Sequence, residues 1–213
     1  WKTLPLLGRG CYLAFMRIIG GKFRGKALAA PGKDCGGAAR LRPTSDRVRE
    51  SLFNLLAHGP YDGAPEGCRV LDLFAGTGAL GLEAMSRGAL RAVFIDDHAP
   101  SRALIRTNVE ALGLTGATKI WRRDAANLGA HKGEPFDLIF LDPPYRSGLG
   151  VAALRSARDG GWVAKDALIV LEVASDEETP AEGALGEVID VRRYGETRVL
   201  IARACSSGGR ACW

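Results

Sequence analysis

Four consecutive residues carry the densest chemistry in the chain: Asp142-Pro143-Pro144-Tyr145, directly after the apolar run Phe136 to Leu141. Two successive prolines fix two φ angles and remove two amide donors. The chain therefore leaves this strand stiffly, with carbonyl oxygens that no neighbouring N–H satisfies. With the Asp142 carboxylate added, that rim accepts hydrogen bonds, and it suits an exocyclic amino group on a base, while the Tyr145 ring offers a stacking face. An aromatic amine is a poor nucleophile because its lone pair is delocalised into the ring. Acceptors that draw on its two hydrogens favour a pyramidal nitrogen and release the lone pair toward an electrophilic methyl, and fixed dipoles offset the charge that develops.

A second group precedes it. Arg69 to Phe74 reads as a strand that runs into Ala75-Gly76-Thr77-Gly78-Ala79-Leu80-Gly81, a match to GxGxxG. Glycines there let the backbone turn sharply and let a ligand approach where a Cβ would collide. The letters alone are shared with dinucleotide sites, so the neighbouring acids matter. Asp72, inside the strand end, would repel a pyrophosphate but could hold an ammonium or sulfonium group, directly or through water. Its alternative is a carboxylate that only bonds loop amides. Asp96 ends the next strand, where a carboxylate can accept from both hydroxyls of a ribose, and Asp97 could cap the helix entered at Pro100. Asp124-Ala125 follows the third strand. Asp124 could meet an adenine amino group and the Ala125 amide a ring nitrogen, with loop capping as the competing reading.

These residues need a frame, and the sequence describes one. From Gly67 onward, short apolar runs rich in branched residues alternate with helical stretches. Strands are expected at 69–74, 92–96, 118–122, 136–141 and 167–173, with helices near 78–87, 100–112 and 148–158. That alternation implies a parallel sheet covered by helices on both faces. Residues 187–194 and 197–203 read as two further strands joined by a turn at Gly195. The expected fold is thus α/β: a Rossmann-like, doubly wound, mostly parallel seven-stranded sheet ending in an antiparallel hairpin.

The first sixty residues differ in character. They hold 11 Lys+Arg against 3 Asp+Glu, a net of +8, so with the whole chain at +5 the rest sums to −3. Arg17 to Ala30, with Gly20, Gly21 and Gly25, suggests a short bent hairpin rather than a packed core strand. Residues 31–43 are rich in Pro and Gly. Thr44 or Ser45 can cap a helix whose apolar face is Val48, Leu52, Leu55 and Leu56, which leaves Arg47, Arg49 and Asn54 on the surface. Lys22, Arg24, Lys26, Arg40, Arg42, Arg47 and Arg49 form a basic patch of the kind that attracts phosphates, and a solvated basic face is the plainer alternative. Residues 16–60 therefore read as a basic arm and helix, and 61–204 as the catalytic domain. Residues 1–15 read as an upstream extension or cloning remnant, and 205–213 as a loose tail.

The chain has 213 residues, 46% of them apolar and 25% charged, which fits an ordinary folded domain and excludes collagen-like, mucin-like and wholly disordered classes. No apolar run approaches the roughly 18 to 20 residues needed to cross a bilayer, so a soluble protein is expected. Five cysteines, odd in number and without a CxxC or Cys/His cluster, point to a reducing cytoplasm and to no metal. His58, His98 and His131 sit in turns or at polar boundaries and read as solvated surface residues. No general base stands out.

The motifs together resemble a known group. DLFAGTGALGLEA (Asp72 to Ala84) and DPPY (Asp142 to Tyr145) are similar to the S-adenosylmethionine-dependent methyltransferases that methylate amino groups. MRIIGGKFRGKAL (Met16 to Leu28) with RPTSDRVRESLFNLL (Arg42 to Leu56) resembles more closely the bacterial small-subunit ribosomal RNA guanine-N(2) methyltransferase family, over about residues 16–203. The resemblance implies S-adenosylmethionine contacts at Asp72, Phe74, Ala75, Gly76, Gly78, Asp96, Asp124 and Ala125. It implies target-base contacts at Asp142, Pro143, Pro144 and Tyr145. Ribosomal RNA, free or within a small-subunit particle, would be held by Arg17, Lys22, Arg24, Lys26, Arg42, Thr44, Arg47 and Arg49 of a monomer. The family commonly has Glu where Asp96 stands, so a ribose bond here needs a shifted backbone or a water. Three other readings compete: a DNA adenine amino methyltransferase, a nicotinamide-dependent oxidoreductase, which leaves DPPY and Asp72 without roles, and a non-catalytic RNA-binding module.

Overall fold

The computed structural model describes residues 16–30, 46–181 and 183–204. The chain opens with a small antiparallel hairpin, β1 (Met16–Arg17) and β2 (Ala27–Leu28), closed by a 3-10 turn at Gly21–Phe23, followed by α1 (Asp46–His58). Then come β3 (Arg69–Leu73), α2 (Ala79–Ser86), β4 (Arg91–Ile95), α3 (Ala99–Ala111), β5 (Thr118–Trp121), β6 (Phe136–Leu141), α4 (Leu149–Asp159), β7 (Val163–Ala174), β8 (Glu187–Tyr194) and β9 (Thr197–Arg203). The ten strands and helices from β3 to β9 fall where the apolar runs place them, except that β7 begins at Val163, four residues before its uniformly apolar part.

Seven strands form one sheet in the order β5-β4-β3-β6-β7-β9-β8. β3 to β7 are mutually parallel, and β9 runs antiparallel between β7 and β8. The chain winds outward from β3 through β4 to β5, then returns to lay β6 on the other side of β3. That reversal opens a crevice beyond the carboxyl ends of β3 and β6, the place where doubly wound sheets hold ligands.

Alternation along the strands sends successive side chains to opposite faces. Val70, Phe94, Leu138, Phe140 and Val170 pack under α1, α2 and α3, through Leu52, Phe53, Leu82, Met85, Ile105 and Val109. Leu71, Ile95, Ile139, Leu141 and Leu171 pack against α4 through Ala153, Leu154 and Ala157, with Trp162 alongside. Asp72 registers with Phe94 and Phe140 and so lies on the first face.

The basic N-terminal segment packs into the same core as the helices of the sheet. Met16, Ile18, Leu28 and Ala30 belong to the same core as α1 and α2. The fully buried Glu83 of α2 accepts hydrogen bonds from the amides of Ile19 and Gly20, both at 2.8 Å. Asn108 of α3 accepts from the Ala29 amide and donates to the carbonyls of Ala29 and Thr77. Side chains 60 to 80 residues away in sequence therefore clamp the arm, and the hairpin reaches the back of the glycine loop.

Arg49 corrects an expectation. It is buried, not presented to solvent, because α1 turns Arg49, Leu52, Phe53 and Leu56 inward at positions i, i+3, i+4 and i+7. Its Nη2 donates to the Arg17 carbonyl at 2.6 Å and to Asp46 at 2.9 Å, and its Nε lies 3.9 Å from Glu83. Burial lowers its pKa, and Asp46 and Glu83 oppose that. Arg49 is a structural cation and is withdrawn from the RNA-contact set. His131 is a smaller correction: half-buried, it stacks on Trp162 with ring centroids 4.4 Å apart.

Candidate active site

The glycine loop is shaped for close approach. Phe74 leaves β3 with φ 61°, a left-handed conformation unusual for an aromatic residue and typical of strained functional turns. Gly78, with φ 78°, is the N-cap of α2. At Gly81, inside α2, an added Cβ would lie 2.4 Å from the Phe94 ring and 3.0 Å from Asp72 Oδ2. A side chain at this position is excluded, and Asp72 instead accepts the Gly81 amide at 2.9 Å. The carboxylate that the sequence offers either to a cation or to loop amides thus holds a loop amide with one oxygen.

Asp96, at the end of β4, accepts the Gly76 amide at 2.8 Å with one oxygen and the His98 amide at 2.8 Å with the other. It therefore fixes the glycine loop against the start of α3. His98, not Asp97, is the N-cap of α3. Asp124 caps the 3-10 turn Ala125–Asn127 by accepting from the Ala126 amide at 2.9 Å, so the capping geometry is present, on an exposed side chain that also faces the cleft.

That cleft sits at the strand reversal, and the empty space within it is about 630 Å³, open solvent included. Phe74, Asp96, Asp124 and Ala125 line it together with Asp142 and Pro144. Six of the twelve motif residues expected around cofactor and base are thus brought to one cleft. Asp72, Ala75, Gly76, Gly78, Pro143 and Tyr145 do not line it. Tyr145 is turned toward β7 and β9, where its hydroxyl meets Glu172 Oε1 and Thr197 Oγ1, each at 2.9 Å.

Carboxylates dominate the site: Asp96, Asp97, Asp124 and Asp142 line the cleft, with Arg123 and His98 as its basic side chains. Burial pushes the Asp72 carboxyl up to about 8; the Gly81 amide bond opposes this and Asp96 adds to it. Burial also raises Asp96, against the His98 and Gly76 amides. Asp142 stands well above the ordinary carboxylate range, through burial first and then the negative charges of Glu172 and Asp72. Among the described residues, no Lys, Arg or His forms an ion pair with Asp72, Asp96 or Asp142. Such a cleft attracts a cation, and a bound cation would favour the ionised carboxylates.

Of the basic residues, Arg17, Lys22, Arg24, Lys26 and Arg47 are exposed. Lys22 and Arg24 flank the hairpin tip, which packs on the carboxyl end of α2 through the Ser86 hydroxyl. The eight residues of α2 separate that tip from the glycine loop, about 12 Å of helix. Arg17 pairs with Asp46 at 3.2 Å, next to Arg47 at the start of α1. Arg42 and Thr44 lie outside the described residues. Sequence reasoning missed Glu83, Asn108 and Glu172. Glu172 had a signal, a charged residue inside the apolar run Ala167 to Val173.

A parallel sheet reversing between β3 and β6, a glycine loop at one lip and a Pro-Pro exit at the other define the fold and motif set of a Rossmann-like methyltransferase. Comparison with known proteins narrows the class. The profile of the family described as "Conserved hypothetical protein 95" matches residues 16–203. "Ribosomal RNA small subunit methyltransferase D" of Escherichia coli is 43% identical over 166 residues, which are 78% of this chain and 78% of that protein. A solved structure described as "Putative methyltransferase yhhF from Escherichia coli" superposes with a TM-score of 0.74 at 34% identity, over 91% of this chain and all of that one. The chain belongs to this family. A Thermus thermophilus 16S rRNA N2 G1207 methyltransferase, RsmC, solved with AdoMet and guanosine, shares the fold with a TM-score of 0.62 at 23% identity, over 95% of this chain and 52% of that one.

Proposed function

We propose that this protein transfers a methyl group from S-adenosylmethionine to the exocyclic 2-amino nitrogen of a guanine in small-subunit ribosomal RNA. The observation that carries the reading is that Asp96, Asp124 and Ala125 share one cleft with Asp142 and Pro144 at the strand reversal. Family membership, with a relative named for the small-subunit RNA reaction, supports the choice of substrate. Of the residues lining the cleft, Asp96 suits the ribose and Asp124 and Ala125 the adenine edge, while Asp72, behind the wall, acts on the charged methionine end through its field and through the Gly81 amide it holds. Phe74, Ala75, Gly76 and Gly78 shape the loop between them. When bound, S-adenosylmethionine supplies a methyl on a positively charged sulfur. Asp142 and the proline carbonyls accept the two hydrogens of the target amine, which frees the nitrogen lone pair, and Tyr145 stacks on a base extruded from its helix. Arg17, Lys22, Arg24, Lys26 and Arg47, with Arg42 and Thr44, hold RNA phosphates. The protein acts as a monomer in the cytoplasm, without metal; among the described residues no helix is long and apolar enough to cross a membrane.

The test is labelled methyl transfer from S-adenosylmethionine to deproteinised small-subunit RNA, to assembly intermediates from cells lacking the protein, and to adenine-containing duplex DNA. Label in an RNA or particle sample supports the reading. Label in DNA alone would favour the DNA adenine alternative, and label in none would refute both.

A further inference from the structure

Glu172 stands in an unexpected place. It occupies the carboxyl end of an otherwise apolar buried stretch of β7 and is 8% exposed. Leu141 of β6 registers with Leu171 of β7, so Glu172 lies one step on, beside Asp142. Asp142 follows Phe140, and Glu172 follows Val170, by two residues. The strand alternation therefore sends both carboxylates to the face that carries Asp72. The charged residue next along β9, Arg198, registers with Val173 and belongs to the opposite face. Glu172 is also joined to the target motif from below, because its Oε1 accepts the Tyr145 hydroxyl at 2.9 Å while Thr197 holds the same hydroxyl from β9.

We propose that Glu172 is a positioning residue for methyl transfer, acting through two neighbours: it fixes the Tyr145 ring by the hydroxyl, and it places a second negative charge beside Asp142. The inference rests on the guanine-amine reading above and adds to it the fate of the proton. Once the new carbon–nitrogen bond has formed, the amine nitrogen carries a positive charge and one proton too many. That N–H bond breaks as an O–H bond forms on Asp142, and the nitrogen keeps the electron pair. The groups facing Asp142 are Glu172 from β7, Asp72 from β3 and Tyr145 from its own loop, and both carboxylates strengthen Asp142 as a base. Glu172 is the one that also contacts Tyr145.

Two effects in one side chain are separable. Glu172→Gln keeps an oxygen for the Tyr145 hydroxyl and removes the charge. Tyr145→Phe keeps the charge and removes the hydroxyl. Glu172→Asp keeps the charge and shortens the reach. Reaction requires ionised Asp142, so activity falls as the pH drops through the Asp142 titration. Removing a neighbouring negative charge lets Asp142 ionise at lower pH, and the acidic limb of kcat in Glu172→Gln should move down by about one pH unit. Tyr145→Phe and Glu172→Asp should leave that limb in place and lower kcat/KM for RNA by about fivefold, the effect of one lost hydrogen bond.

The experiment is a pH profile of kcat and KM for the full-length parent and the three variants, with calorimetric S-adenosylmethionine binding as the check that each is folded. A Glu172→Gln limb that coincides with the parent's would overturn the charge role. A Tyr145→Phe variant with parental kcat/KM would overturn the orienting role. If Glu172→Gln does not fold, Glu172→Asp carries the test, and parental kcat/KM in that variant overturns the proposal. A parent that methylates no RNA would instead overturn the reading on which the inference rests.

Discussion

Replacing Asp72 with Asn should make the protein more stable and a poorer binder of its cofactor, and the gain in stability should grow with pH. Asp72 is 2% exposed, and its carboxyl is pushed from an ordinary 3.8 to about 8. Between those values the unfolded chain is ionised while the folded chain holds the proton, so folding opposes ionisation and stability falls as pH rises. The penalty from this one group is roughly 2 kcal/mol at pH 5 and roughly 5 kcal/mol at pH 8. Asparagine keeps an oxygen for the Gly81 amide and never ionises. Whatever its amide group loses in hydrogen bonding is the same at both pH values, so the difference between them is the informative quantity. Urea unfolding of parent and Asp72→Asn without cofactor should show a stability gain about 3 kcal/mol larger at pH 8 than at pH 5. Equal gains at the two pH values would refute the claim that Asp72 is an uncompensated buried acid.

The other expectations concern the two sides of the cleft and the arm. Asp142→Ala should keep S-adenosylmethionine affinity in calorimetry and lose about 2 to 4 kcal/mol of barrier lowering in single-turnover methyl transfer, by analogy with the loss of one oxyanion-hole donor. Asp96→Ala should weaken cofactor binding in the same calorimetry, both by removing the ribose acceptor and by releasing the Gly76 and His98 amides that it holds. Arg24→Ala and Arg47→Ala should each reduce the slope of log RNA affinity against log salt by about 0.7 to 0.9, measured by titration at several salt concentrations. Arg49→Ala should leave that slope unchanged and destabilise the fold by about 3 kcal/mol in urea, because a buried ion-pair network loses one partner.

The α/β frame was legible because the central parallel strands are short, mostly apolar runs with an acid at or just past the end: Asp72 just inside β3, Asp96 after β4, Asp142 after β6. Strand ends in such a sheet converge on one edge, so reading the ends amounted to reading the site. The arm was harder. Lys22 and Arg24 are surface cations as their charge suggests, but Arg49 is a cation at a core position, and the face Val48, Leu52, Leu55 and Leu56 overlooked Phe53, whose spacing from Arg49 and Leu56 marks the buried stripe. Glu83 has a local partner in Arg87, but the clamp that Glu83 and Asn108 put on the arm could not be read locally, because it holds backbone groups of Ile19, Gly20 and Ala29, which carry no sequence label. Glu172 was visible only as an anomaly in an apolar run, and its partners Tyr145 and Thr197 come from two other segments.

The atom that receives the methyl group is the most direct test of the central claim. Small-subunit RNA or an assembly intermediate, labelled by the protein with isotopic S-adenosylmethionine, would be digested to nucleosides and separated by chromatography with mass detection, with Asp142→Ala run in parallel. The predicted result is label in N2-methylguanosine at one nucleotide, with the signal largely lost in the Asp142→Ala sample. Label on another base, on another guanine atom, or at full strength without Asp142 would contradict the account.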